Sequence, residues 1–255
     1  MKNRRVFSTA LVTGAAASLI SARGVAANST PLGSRPVGLV ASGSHLSGAW
    51  ALILGSARNL VAENASLRGG GWQQSVGDDI AGRTLGVLGL GNVGGAVAQI
   101  GNAFGMKVIA WSQNLTIDRA AEVGATLVSR DEVFREADVV TIHLVLSGRT
   151  RGLVGAAELA LMKPTSRLIN TSRGPIVVEA DLIAALKDKI IAGAAIDVFD
   201  QEPLPLDHPF RALPNLLATP HIGYVSRGLY ARFYQDTVTN ICRWLDRQAA
   251  EAVGV

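Results

Sequence analysis

The sequence predicts an α/β protein built on a doubly wound parallel sheet, and three observations point that way. The first is alternation. Short apolar runs (Thr84–Leu88, Lys107–Trp111, Val139–Ile142, Arg167–Asn170) recur between stretches with helical spacing, the pattern of strands covered by helices on both faces. The second is a glycine turn, Gly89-Leu90-Gly91-Asn92-Val93-Gly94, placed directly after the first run. The third is composition: of 255 residues, 48% are hydrophobic and 17% charged, enough apolar material for one or two cores.

Taken from the N-terminus, residues 1–27 stand apart. Lys2, Arg4 and Arg5 precede an apolar run over 7–20, Arg4-Arg5-Val6-Phe7 resembles the twin-arginine export pattern, and Val25-Ala26-Ala27 offers small residues for cleavage. The expectation is export to the periplasm, or a cytoplasmic protein if the signal is not used. The run is shorter than the roughly 20 residues of a membrane span, so no stable span is expected. Residues 28–45 are rich in Ser, Gly and Pro and read as a linker. Over 46–72 a connecting helix is expected, its stripe formed by Trp50, Ile53, Leu54, Ala57, Leu60 and Val61 and its end set by Gly69-Gly70-Gly71.

Residues 73–224 read as one dinucleotide-binding domain of the Rossmann type. After the first strand, the first glycine of the turn allows the bend, the second lets backbone approach a pyrophosphate, and the third brings helix against strand. The following helix, with Val93, Val97, Ile100 and Phe104 at helical spacing, presents its N-terminus to the phosphates without any charged side chain. Gly89, Gly91, Asn92, Val93 and Gly94 are therefore the expected cofactor cradle. Lys107–Trp111 is the second strand, Glu179–Lys187 a helix, and 193–197 and 216–219 two more strands, the last ending before Pro220. Residues 225–255 form a C-terminal helical segment, centred on a helix over about 226–247.

Charge and cysteine content narrow the function. The net charge is +4, but beyond the N-terminus the basic residues are scattered, so no nucleic-acid partner is expected. The one cysteine, Cys242, excludes an intrachain disulfide and a thiolate zinc set; it is expected to be a core thiol, and no metal site is expected.

Three segments follow expected strands: Asn170-Thr171-Ser172-Arg173-Gly174-Pro175, Asp197-Val198-Phe199-Asp200-Gln201-Glu202-Pro203, and Thr219-Pro220-His221-Ile222-Gly223. In an open parallel sheet the ligand crevice lies outside the carboxyl ends of the strands, so these loops converge on the cofactor. With them the chain resembles the D-isomer-specific 2-hydroxyacid dehydrogenases over about residues 50–247. The resemblance implies hydride transfer between a nicotinamide cofactor and a small 2-oxo or D-2-hydroxy acid, with Arg173, Glu202 and His221 as the catalytic set. It also places Asp197 and Thr171 near the nicotinamide. The chemistry calls for such groups independently. A ketone that receives hydride becomes an alkoxide needing a proton; imidazole gives and takes protons near neutrality, a carboxylate orients the ring, and guanidinium offers a planar fork to a carboxylate. Each residue also has a structural alternative: a surface ion pair for Arg173, turn hydrogen bonds for Glu202, a satisfied buried position for His221. His45, His143 and His208 lack such company, although His143 ends a strand and is placed to line the cleft.

The residue at the end of the second strand, where NAD enzymes carry an acid for the ribose, is Ser112, followed by Gln113 and Asn114. NAD is expected, with NADP open. The resemblance also implies a departure: relatives carry about a hundred residues of substrate domain before the connecting helix, so the second domain is expected to be truncated. They tend to have an acid at the position of Ser47-Gly48. A non-catalytic dinucleotide-binding remnant is the alternative function. In relatives the last helix packs on the substrate domain, so Phe233, Val238, Ile241, Trp244 and Leu245 are expected to seek another partner, and a homodimer is expected.

Overall fold

Seven short strands, each an apolar run bounded by turn residues, pair into one fully parallel sheet: β1 (Thr84–Leu88), β2 (Lys107–Trp111), β3 (Thr126–Leu127), β4 (Val139–Ile142), β5 (Arg167–Asn170), β6 (Gly193–Ile196) and β7 (Leu216–Ala218). Their order is β3-β2-β1-β4-β5-β6-β7, so the direction of winding reverses between β1 and β4 and opens a crevice there. The structure is a computed structural model and describes residues 37–253. The expected export signal over 1–27 and the first part of the expected linker lie outside the described residues.

The helices are α1 (Val37–Ala57), α2 (Leu60–Arg68), α3 (Asn92–Ala103), α4 (Ile117–Ala121), α5 (Arg130–Glu136), α6 (Ala156–Leu161), α7 (Glu179–Lys187) and α8 (Arg227–Val253). Alternating side chains of the strands feed two cores. On one face Leu85, Val87, Val108 and Ile169 pack with Trp50 and Ile53 of α1 and Val97 of α3. On the other, Leu88, Val140, Ile142 and Leu168 pack with Phe134 of α5, Leu159 of α6 and Leu186 of α7. Burying side chains of this size contributes about 1.5–3 kcal/mol each, and strands covered on both faces need no polar alternation.

At the amino edge of the sheet Asp138 ties β1 to β4: it accepts from the Thr84 N–H at 2.8 Å and from Lys163 Nζ at 2.9 Å. Burial alone would raise its pKa, but these bonds and Arg83 outweigh it and hold the carboxyl below its ordinary value. The amino edge is thus a stability edge, which leaves the carboxyl edge for ligands.

Three expectations are corrected. Helix α1 covers Val37–Ala57 and so takes in the later part of the expected linker, because the sequence over 37–57 is largely apolar and contains no proline to interrupt a helix. The expected helix over 46–72 is two, because Asn59 adopts a left-handed conformation (φ 51°, ψ 34°) and turns the chain. Trp50, Ile53 and Ala57 remain buried, whereas Leu60 and Val61 beyond the turn are exposed. Cys242 is exposed and not a core thiol, because every residue of α8 over 237–249 lies open to solvent.

Candidate active site

At the carboxyl edge, Gly89 keeps strand pairing by donating its N–H to the Trp111 carbonyl at 2.8 Å and then turns at φ 97°. A Cβ there would stand 2.7 Å from the His143 carbonyl oxygen, so the turn presses against the end of β4. Gly94 closes it, since a Cβ at that position would lie 2.0 Å from the Gly89 carbonyl oxygen. Gly91 is the opposite case, with nothing within 4 Å of its notional Cβ. No side chain caps α3, so the N–H groups of its first turn, at Asn92 and Val93, are left to an external acceptor. Ser112, just past β2, accepts the Leu90 N–H on its Oγ at 3.0 Å and anchors the turn from the other side.

Across the edge, the loop after β7 carries His221. Its Nδ1 lies 2.6 Å from Oε2 of Glu202, and both side chains are about one-third exposed, 32% and 36%. Glu202 Oε1 also accepts the Phe199 N–H at 3.0 Å, so the turn hydrogen bond exists alongside the histidine contact and fixes the carboxylate. With Nδ1 engaged, Nε2 is the nitrogen left for a reacting oxygen. The Tyr224 ring meets the imidazole at nearly a right angle, with a centroid distance of 5.4 Å.

His221 sits at φ 54°, a left-handed conformation costing an L-residue about 1–2 kcal/mol. Asp197, only 3% exposed at the end of β6, holds it there. Its Oδ1 accepts from Thr219 Oγ1 at 2.5 Å and from the Ile222 N–H at 2.9 Å, and its Oδ2 accepts the Gly223 N–H at 2.7 Å. Three of a carboxylate's roughly four acceptor positions are thus committed to the histidine loop. A cleft of about 430 Å³ opens beside that loop, lined by Ser47, Gly48, Ala51, Asp197, Thr219 and Gly223 among others.

The third expected catalytic residue is not hydrogen-bonded to that pair. Arg173 is exposed on the loop after β5, makes no ion pair among the described residues, and donates from Nη1 to the Ser172 carbonyl at 2.6 Å. Buried Asn170 clamps this loop by accepting the Ser172 N–H and donating to the Arg173 carbonyl, both at 3.0 Å. Thr171 is buried beside it. At the end of β4, His143 is half-buried with Nε2 2.9 Å from Thr141 Oγ1; burial, with a smaller contribution from His45, pushes its pKa down to about 4 and leaves it a neutral ring at pH 7. His208 pairs with Glu179 at 2.9 Å, and its ring lies tilted against Phe210.

The model of the D-isomer specific 2-hydroxyacid dehydrogenase, NAD binding domain, matches residues 50–223. The chain belongs to that family. Among the relatives of this 2-hydroxyacid dehydrogenase domain, the glyoxylate reductase of Aeropyrum pernix is 40% identical over 201 residues, covering 75% of this chain and 60% of that protein. The glyoxylate/hydroxypyruvate reductase B of Enterobacter agglomerans is 39% identical over 197 residues, covering 75% and 61%. Among solved structures, a phosphoglycerate oxidoreductase from Vibrio cholerae superimposes with a TM-score of 0.78 at 35% identity, covering 81% of this chain and 67% of that one. The D-lactate dehydrogenase of Aquifex aeolicus, in complex with NAD and lactic acid, gives 0.73 at 27% identity, again covering 81% and 67%. The chain spans about 60% of the length of the two reductases.

The cofactor of this dehydrogenase domain is NAD, and the residues present fit it: a crossed turn at Gly89 and Gly94, open space over Gly91, and an uncapped helix start form a cradle shaped for a diphosphate. Sequence reasoning missed Asn170 and Thr219 as loop clamps, although both lie inside the quoted motifs, and Tyr224, for which no local pattern exists. It also set aside His45, whose Cδ2 lies 3.9 Å from the notional Cβ of Gly223, at the mouth of the same loop.

Proposed function

We propose that this chain carries the cofactor-binding and proton-transfer machinery of an oxidoreductase that interconverts small 2-oxo acids and D-2-hydroxy acids. The observation that carries the proposal is the 2.6 Å contact of His221 with Glu202 at the same sheet edge as the glycine cradle. Gly89, Gly91, Asn92, Val93 and Gly94 would hold NAD, whose nicotinamide would supply or accept the hydride when bound. His221 hands its Nε2 proton to the oxygen that becomes hydroxyl, and takes it back in the oxidative direction. Glu202 keeps the proton-bearing Nδ1 pointed inward and balances the imidazolium. Arg173 offers its guanidinium to the substrate carboxylate, Asp197 holds the histidine loop in place, and Thr171 lies beside the nicotinamide end. The relatives named as glyoxylate and hydroxypyruvate reductases make those two acids the first substrates to try.

The test is oxidation of NADH by the purified chain with glyoxylate, hydroxypyruvate and pyruvate, beside His221→Ala. Turnover in the parent and a loss of roughly 10²–10⁴-fold in the variant are expected. No turnover with intact cofactor binding would instead make the protein a dinucleotide-binding relative without catalysis.

Two further readings belong to this proposal. Two copies pair through α8, where Tyr234, Val238, Ile241, Trp244 and Leu245 each leave more than half their surface exposed. The chain is exported through the Arg4-Arg5 signal, and substituting both arginines by lysine is expected to leave a tagged copy in the cytoplasmic fraction.

A further inference from the structure

The segment from Phe199 to Arg211 follows strand β6, carries Glu202, and ends in a single 3-10 turn (Pro209–Arg211) ahead of β7. Its far end is firmly seated. Phe210 is buried in the core, its N–H is accepted by His208 Nδ1 at 3.2 Å, and His208 Nε2 lies 2.9 Å from Oε1 of Glu179 on α7. Before that end, residues 200–203 and 206–207 lie open to solvent, so packing alone does not fix where the Glu202 carboxylate stands. Arg211 reaches back across this stretch. It donates Nη2 to the Leu204 carbonyl and Nε to the Pro205 carbonyl, both at 2.8 Å. These are the parallel donors on one edge of the guanidinium fork, laid on consecutive carbonyls that begin two residues after Glu202. The same segment holds three acids, Asp200, Glu202 and Asp207, yet none of the ion pairs among the described residues includes Arg211. Its donors serve the course of the backbone and not the charge of the loop.

We propose that Arg211 is a positioning residue for the proton-transfer pair: by holding the Leu204 and Pro205 carbonyls it sets the place of Glu202, and through Glu202 the tautomer and aim of His221. The inference rests on the reading of His221 and Glu202 as that pair. An ionised carboxylate only accepts, so the 2.6 Å contact requires a proton on His221 Nδ1 and leaves Nε2 for the reacting oxygen. A loop displaced by about an ångström breaks this contact, and misplacement of that size costs up to about 10²-fold in rate. Lysine at position 211 keeps the positive charge but replaces the planar fork by a point charge, which separates the geometry of the clamp from its electrostatics.

The experiment compares the full chain as parent, R211K and R211Q by proton–nitrogen correlation spectra of isotope-labelled histidine, at a pH where the His221 ring is neutral. The signals are assigned by their loss in His221→Ala. The parent should hold the ring proton on Nδ1, and both variants should move it toward Nε2, the tautomer that an unpaired imidazole prefers. In NADH oxidation with glyoxylate, kcat should fall at least about tenfold in R211K, while KM for the acid and affinity for NADH stay within about twofold of the parent. A ring that keeps its proton on Nδ1 in both variants overturns the proposal whatever happens to turnover, and so does a moved proton with kcat unchanged in an active parent. If R211K does not fold, R211Q decides. A parent ring protonated on Nε2 overturns the pairing of His221 with Glu202 and this inference with it. A parent protonated on Nδ1 but without turnover removes the catalytic reading alone, and the ring nitrogens still decide whether Arg211 sets the tautomer.

Discussion

His221 is held in an unfavourable backbone conformation by a buried carboxylate at the end of the neighbouring strand, and that arrangement makes Asp197 testable as a positioning residue. Asp197→Asn removes the charge that receives two backbone N–H groups and the Thr219 hydroxyl. Hydrogen bonds to charged groups contribute about 1.5–3 kcal/mol. Thermal melts should show a loss of about 2 kcal/mol, or roughly 4–8 °C for a domain of this size, together with at least a tenfold fall in turnover. His143 gives a pH signature. The unfolded chain protonates this histidine below about 6.5, the folded chain only below about 4, so between those values the unfolded state binds more protons and stability falls as pH is lowered. The full shift corresponds to ~3 kcal/mol, reduced by solvent around a half-buried ring. Asp138, with a depressed pKa, adds a loss only below its ordinary value of 3.8. Asp200 acts in the opposite sense, its pKa raised by burial and by Glu179, so its protonation favours the fold. Melting curves at pH 7 and pH 5 should therefore converge in His143→Gln relative to the parent.

Among the elements, the turn between β1 and α3 separates two functions of glycine. Gly91→Ala places a methyl where nothing lies within 4 Å, so the melting temperature should stay within about 2 °C while NADH affinity falls at least tenfold, read by fluorescence titration. Gly94→Ala drives a methyl to 2.0 Å from the Gly89 carbonyl, and the same melts should lose more than about 3 kcal/mol of stability or the protein should not fold. The strands were legible because each is a short apolar run with turn residues at both ends; β1, β2, β4 and β5 coincide with the expected spans. Strand β3 has two residues, and α4 and α6 have five and six, too few for a periodic signal. The break at Asn59 was not legible because asparagine is compatible with both a helix and a left-handed turn.

At the scale of the whole molecule, α8 is the element on which assembly turns. Trp244 is 60% exposed and Val238 61% exposed on a helix of 27 residues. If two copies pair through this face, sedimentation velocity should give a dimer, and Ile241→Lys with Trp244→Lys should give a monomer whose melting temperature is little changed, since neither side chain packs in either core. A monodisperse parent monomer would remove the dimer.

The sequence by itself determined the class of sheet, the glycine cradle, and the identity of the residues at the strand ends, because those depend on local periodicity, on the conformational range of glycine, and on short motifs. Only the tertiary structure decided how they work together. Glu202 and His221 meet because loops after different strands converge at one sheet edge. Asp197 serves the histidine loop because three donors surround it there. Ser112 is bound to the turn because β1 and β2 are neighbours in register. Burial of His143 and exposure of Cys242 depend on what packs beside them, and packing between segments far apart in the chain has no period for a sequence to display.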